Sequence, residues 1–468
     1  MRSVGLALML QIVVISSARS QTPGHFSHLQ GATASSFYPG GEGSVFHLFT
    51  ALSLGERVPE GRVRGTIVSD RTHGHLRDTT LDSSPAPQKF QNRSPRTPTV
   101  AAVNFERLKA KADAAREADQ ISEAIKIYTQ LVRIRPRWAE GWWYLGTLYY
   151  DSDQYAPGAK AFQQFVSLEP KNGQGWAMLG LCEYQFQQYA SSLQDLAKSR
   201  SLGFSGNEEL ARVVRYHQAI LLTRGKQYEA AMALLNGFAV EHRESDGVLD
   251  ALGLAALRIS DPLDSLNSEQ REMVRQFGKA SFLGAERKMP ESNKMFQELE
   301  ARYQGQPNVA YAYGVALLLQ KDPEKAMTYF LKELERDPRH VAALLQVAFQ
   351  AIASGKYTDG LPYAKKAIEF EPDNFAAYYA LGRIYLESDD TAQALKNLEK
   401  AAAMAPDSSN VQFVLARAYT RAKRPAEAAR ARAEFARLEA LAKKRRGEAT
   451  GPGSPAETTD DVGKTSNP

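Results

Sequence analysis

Apolar and polar positions follow three different rules along this chain. Val4–Ile15 is one apolar stretch behind Arg2, and small and polar residues follow it up to Ser20. Residues 21–100 hold no apolar repeat at helix spacing beyond a turn or two. Nine Gly, seven Pro and eighteen Ser or Thr make up 34 of these 80 residues, too little apolar surface to offset the entropy of ordering. From 101 to 446 a 34-residue beat takes over, marked by Pro136 and Pro170 and again by Pro338, Pro372 and Pro406. Overlaying the segments gives Trp142-x-x-Leu145-Gly146-x-x-Tyr149, Trp176-x-x-Leu179-Gly180 and Tyr378-x-x-Leu381-Gly382-x-x-Tyr385.

This motif resembles the tetratricopeptide repeat, and the resemblance covers about Ala101 to Arg446. It implies an all-α fold: an α-solenoid, a right-handed superhelix of antiparallel helix pairs. About ten repeats begin near residues 105, 139, 173, 212, 246, 273, 307, 341, 375 and 409. Small residues such as Gly146, Gly180, Gly314 and Gly382 are expected where the helices of a pair approach. Large ones, Phe162, Leu196, Phe330 and Leu398, are expected to fill the space to the next pair. A single pair cannot cover its apolar faces, so neighbours must stack.

Two steps break the beat: 173 to 212 is 39 residues and 246 to 273 is 27. The surplus falls in the loop Leu202–Gly206. The deficit falls around Asp261–Arg275, where Ser268–Lys288 is expected to form one long helix in place of two, a drift of the repeat rather than a hinge. The chain then divides into a signal peptide (1–20), a low-complexity leader (21–100), the repeat array with a basic capping helix (101–446), and a Gly/Pro/Ser/Thr tail (447–468).

Ala18 and Ser20 stand as the small residues before a signal-peptide cut at Gln21. The twelve residues Val4–Ile15 at ~1.5 Å each reach about 18 Å, short of the ~30 Å hydrocarbon core, so no stable membrane span is expected. The expected location is periplasmic or secreted, and cytoplasmic only if the N-terminus is mis-assigned. Cys182 is the single cysteine, which excludes an intramolecular disulfide framework, a CxxC redox pair and a cysteine-only zinc site. A formal charge of +5, from 58 Lys+Arg against 53 Asp+Glu, is too balanced for a nucleic-acid binder. His25-x-x-His28 and His73-x-His75 lack a carboxylate or cysteine to complete a metal set. There is no phosphate loop, HExxH, GxSxG elbow or dinucleotide fingerprint. No catalytic residue, metal or cofactor is expected.

A stack of helix pairs offers a groove, and the resemblance puts repeat positions 2, 5, 9, 12 and 13 on its wall. Position 5 carries Trp143, Tyr216, Phe277, Tyr311, Tyr379 and Phe413; position 12 adds Tyr150 and Tyr184. Rings of this kind suit an extended peptide or a partner helix. These eight residues are the candidate contact set for a protein or peptide partner, with the second and third repeats as its centre. The alternative is a polysaccharide- or lipid-handling accessory whose groove holds a polymer chain. Some relatives of this repeat grip a C-terminal carboxylate with Lys and Asn, but here those positions are Lys109 and Asp113, so that clamp is incomplete. Residues 421–446 carry ten basic and three acidic side chains, against a net −3 for 101–420. With Ala428, Ala431, Phe435, Leu438 and Ala442 on one face, this end reads as a solvated cap, and docking on an acidic partner or an anionic surface is the second reading.

Overall fold

The computed structural model describes residues 100–204 and 206–449. The signal segment, the leader up to residue 99 and the tail from residue 450 lie outside the described residues. The described residues form nineteen α-helices and one 3₁₀ turn, with no strand among them. They fall into two compact units, one ending at Leu168 and the other beginning at Glu169.

The first unit holds α1 (Val100–Glu117), α2 (Ile121–Ile134), α3 (Ala139–Asp151) and α4 (Tyr155–Leu168). The second opens with α5 (Gly173–Gln185), α6 (Tyr189–Leu202), α7 (Glu208–Arg224), α8 (Tyr228–Val240) and α9 (Asp246–Ala256). A 3₁₀ turn (Leu263–Ser265) leads into α10 (Ser268–Ala285), α11 (Met289–Arg302), α12 (Val309–Leu319) and α13 (Pro323–Arg336). Then come α14 (Val341–Ala353), α15 (Tyr357–Phe370), α16 (Phe375–Glu387), α17 (Thr391–Met404), α18 (Ser409–Arg421) and α19 (Pro425–Ala449). Within this unit each helix packs on its neighbour in chain order, and first helices also touch the next first helix, an all-α solenoid arrangement.

The reversal inside each pair is made by one left-handed residue. These residues keep the sequence beat on either side of the irregular steps, Asp119, Asp153 and Gln187, then Arg287, Lys321, Gly355, Asp389 and Lys423, with Lys226 and Arg258 between them off the beat. Left-handed backbone costs a non-glycine residue roughly 1–2 kcal/mol, so helix packing imposes this turn against local preference. The junction between pairs is fixed differently. The second helix stops two residues before Pro136, Pro170, Pro338, Pro372 and Pro406, each a residue with no N–H to donate, and at three of these junctions the fourth residue of the next repeat ties back to the proline carbonyl. Trp142 Nε1 donates to the Pro136 carbonyl at 2.8 Å, Trp176 Nε1 to Pro170 at 3.0 Å, and Gln412 Nε2 to Pro406 at 3.4 Å.

The large residues of the second helices sit elsewhere than the sequence suggested. A Cβ added to Gly146, Gly180, Gly314 or Gly382 would lie under 3.0 Å from Phe162, Leu196, Phe330 or Leu398 respectively. Each large side chain therefore fills the gap over the glycine of its own pair, and all four are fully buried.

The shortened step is resolved by a shared helix. α9 has eleven residues, and α10 packs on α9 through one face and on α11 through another. A Cβ on Gly253 would meet the Val274 carbonyl at 1.8 Å, and one on Gly278 the Leu249 carbonyl at 1.8 Å, so the two backbones touch where the helices cross. On the other face, the rings of Phe277 and Phe296 lie 5.9 Å apart. α10 thus closes one pair and opens the next, as the sequence expected of Ser268–Lys288. Just beyond α9, Arg258 pairs with Glu229 of α8 and lies over the rings of Tyr228 and Tyr311, at 4.6 and 5.3 Å.

Candidate functional site

The eight candidate rings do not share one environment. In the first unit, the half-buried Trp143 packs on Phe162 and Phe165 of α4, with ring centroids 5.7 and 5.2 Å away. Tyr150 is buried, edge-on to Tyr155 at 5.5 Å. In the second unit, Tyr184 is half-buried against His217 at 4.8 Å, and the buried Tyr216 directs its hydroxyl to the Gly247 carbonyl at 3.4 Å. Phe277, Tyr311 and Tyr379 are 0%, 3% and 1% exposed. Phe413 is 47% exposed.

Packing explains the division. Phe277 lies between Phe296 and Tyr303. Tyr311 lies between Phe330 of its own pair, at 5.7 Å, and His340 at the start of the next, at 4.9 Å. Burial raises the Tyr311 and Tyr379 hydroxyls above the ordinary tyrosine range, against the pull of Arg258 and Arg383 respectively. The sequence expectation is corrected here: Phe277, Tyr311, Tyr379, Tyr216 and Tyr150 spend their ring faces on packing. Phe413 alone of the eight is exposed, and Trp143 and Tyr184 keep partial access.

Phe413 borders a cavity of about 410 Å³. Leu386 of α16 and Ala416 of α18 share its apolar floor with Phe413, whose ring is backed by Phe435 of α19 at 5.4 Å. The polar wall is Arg417, Thr420 and Arg421 of α18 with Arg432 of α19. Phe413, Arg417, Thr420 and Arg421 stand at positions 5, 9, 12 and 13 of the last repeat, the groove positions that the resemblance implies. Reading only positions 5 and 12 for aromatics missed the arginines. Reading positions 9 and 13 across all repeats exposes them.

Elsewhere the polar side chains hold the fold. Lys109 Nζ donates to Asp113 Oδ2 at 3.1 Å, so the lysine of the incomplete clamp is tied to its own helix. Glu333 accepts the N–H groups of Asn308 and Tyr311 at the start of α12. His340 Nδ1 accepts the Ala343 N–H at 3.0 Å and Nε2 donates to Asn308 Oδ1 at 2.7 Å, a neutral tautomer. Burial and then the Arg258 charge push His340 down to about 4. Cys182 is buried in α5, and burial pushes its thiol up. Among the described residues no group of three or more His, Cys, Asp or Glu is placed to hold a metal ion. No described helix is long and apolar enough to cross a membrane.

No curated protein matches the chain in sequence. Among solved structures, the chain is similar to a MamA RS-1 ArsTM double mutant at 20% identity, over 38% of this chain and 98% of that one, with a TM-score of 0.34. It is also similar to MamA 41-end from Desulfovibrio magneticus RS-1, at 20% identity over 37% and 97% of the two chains, with a TM-score of 0.34. Models of the tetratricopeptide repeat match residues 145–202, 280–341, 363–396 and 385–438. With the 34-residue beat, the paired helices and the tied proline junctions, these matches make the chain a member of the tetratricopeptide repeat family.

Proposed function

We propose that the chain is a non-enzymatic scaffold that holds a segment of a partner protein in the groove between α18 and α19, and that it works outside the cytoplasm. Tetratricopeptide repeats are protein-interaction modules in general, and the observation that carries the specific reading is Phe413. A large ring at a repeat position that is core elsewhere in this unit stands open beside a 410 Å³ cavity with an apolar floor. Aromatic anchors backed by packing and rimmed by polar groups are where protein partners bind most strongly. A charged wall of three arginines favours a protein segment over a neutral glycan or lipid chain. The layout of Met1–Ser20 supports export.

The test places a photo-cross-linking amino acid at position 413 of the full chain, and in parallel at Leu319, which is exposed and does not line this cavity. In the native cell the 413 variant is expected to trap one discrete partner and the 319 variant none. Equal trapping at both positions would remove the groove from the account.

A further inference from the structure

The polar side of the cavity at the last repeat carries one sign of charge. Arginines form most of its polar wall and no carboxylate lines it. Two of these arginines are already engaged. Arg417 Nη2 meets Glu387 Oε1 at 3.0 Å, while Arg421 meets Asp389 at 3.0 Å and donates to the Leu386 carbonyl. Arg432 differs. Its only polar contact among the described residues runs from Nη1 to Thr420 Oγ1 at 3.4 Å, and the Thr420 hydroxyl is itself committed as donor to the Ala416 carbonyl at 2.8 Å. A guanidinium presents five N–H donors, so Arg432 keeps most of its capacity for an incoming carboxylate, which it holds best in a bidentate pair.

Building on the groove reading above, we propose that the occupant is an acidic segment of a partner protein in which a carboxylate side chain stands next to an apolar one. The carboxylate pairs with Arg432, and the apolar side chain lies on Phe413 over the Leu386 floor. Both halves of the motif are required, because the ring offers area without charge and the arginine offers charge without area. A second copy of this chain is a poor occupant. Residues 421–446 carry ten basic and three acidic side chains, and two such surfaces facing each other repel.

The test titrates the full chain, by fluorescence anisotropy, with two pools of dye-labelled decapeptides. In one pool every peptide has two Asp or Glu beside one Leu or Phe in a Gly/Ser background; in the matched pool the acids are Asn or Gln. The acidic pool is expected to bind roughly tenfold more tightly, with that advantage shrinking between about 0.05 and about 0.5 M salt. Arg432→Gln should erase the advantage and leave the amide pool unchanged. Phe413→Ser should weaken both pools, with melting temperatures close to the parent's confirming that both variants fold. Equal binding of the two pools, lost in Phe413→Ser, overturns the carboxylate chemistry and leaves the groove standing. Binding unaffected by Phe413→Ser counts against the groove itself, as does the failure of both pools to bind. A concentration-dependent dimer dissolved by Phe413→Ser overturns the proposal in favour of a second copy. A several-fold gain in peptide affinity on joint Asp460→Asn and Asp461→Asn substitution does the same in favour of the chain's own acids.

Discussion

Tyr311 and Phe413 hold the same place in their repeats, five residues in, yet one is 3% and the other 47% exposed. Each ring leans on the second helix of its own pair, Tyr311 on Phe330 at 5.7 Å and Phe413 on Phe435 at 5.4 Å. The difference lies on the other side. His340, opening the following pair, lies 4.9 Å over Tyr311, whereas among the described residues no further pair follows that of Phe413. In a repeat protein, neighbours supply the burial that a single unit lacks. The open surface therefore arises where repetition stops, and the same residue type serves as core in one place and as contact in another.

Truncation of the two rings should separate these roles most sharply. Tyr311→Ala removes a fully packed aromatic and is expected to cost about 3–5 kcal/mol in urea denaturation, whereas Phe413→Ala should cost about 1 kcal/mol or less. Similar losses for both would place Phe413 in the core and end the comparison.

Acid should loosen the covered ring next. His340 has its ordinary value of 6.5 in the unfolded chain and is held down to about 4 in the folded one. The unfolded chain therefore binds the extra proton first as pH falls. The stability His340 contributes is present above about 6.5 and is lost as pH falls towards 4. His340→Asn keeps a helix-capping side chain but does not titrate there. The urea midpoint of the parent should fall relative to that of the variant between pH 7 and pH 4, and parallel curves would show that the histidine is not the cover. The smallest effect belongs to the open end, where Arg432→Gln should change stability by no more than about 0.5 kcal/mol.

Much of the fold was legible from the spacing of a few residues. The prolines fixed the beat, Gly146, Gly180, Gly314 and Gly382 marked the tight crossings, and the short step from 246 to 273 pointed to one long helix, now seen as α10. The space filled by Phe162 and Phe330 was misjudged, because periodicity says that a residue is buried but not which helix buries it. The candidate site was less legible for a related reason. Repeat position told where a ring starts, and burial then depended on what stacked against it, as Tyr311 and Phe413 illustrate. Arg432 lies on the second helix, outside the groove positions altogether, and joins the cavity only because α19 packs beside α18.

The central claim is that one ring position changes from core to contact at the end of the array. Hydroxyl-radical footprinting of the full chain, read residue by residue by mass spectrometry, tests this most directly. The account predicts rapid oxidation at Phe413 and protection at Phe277, Tyr311 and Tyr379. Protection of Phe413 equal to that of the other three, in the free chain, would contradict it.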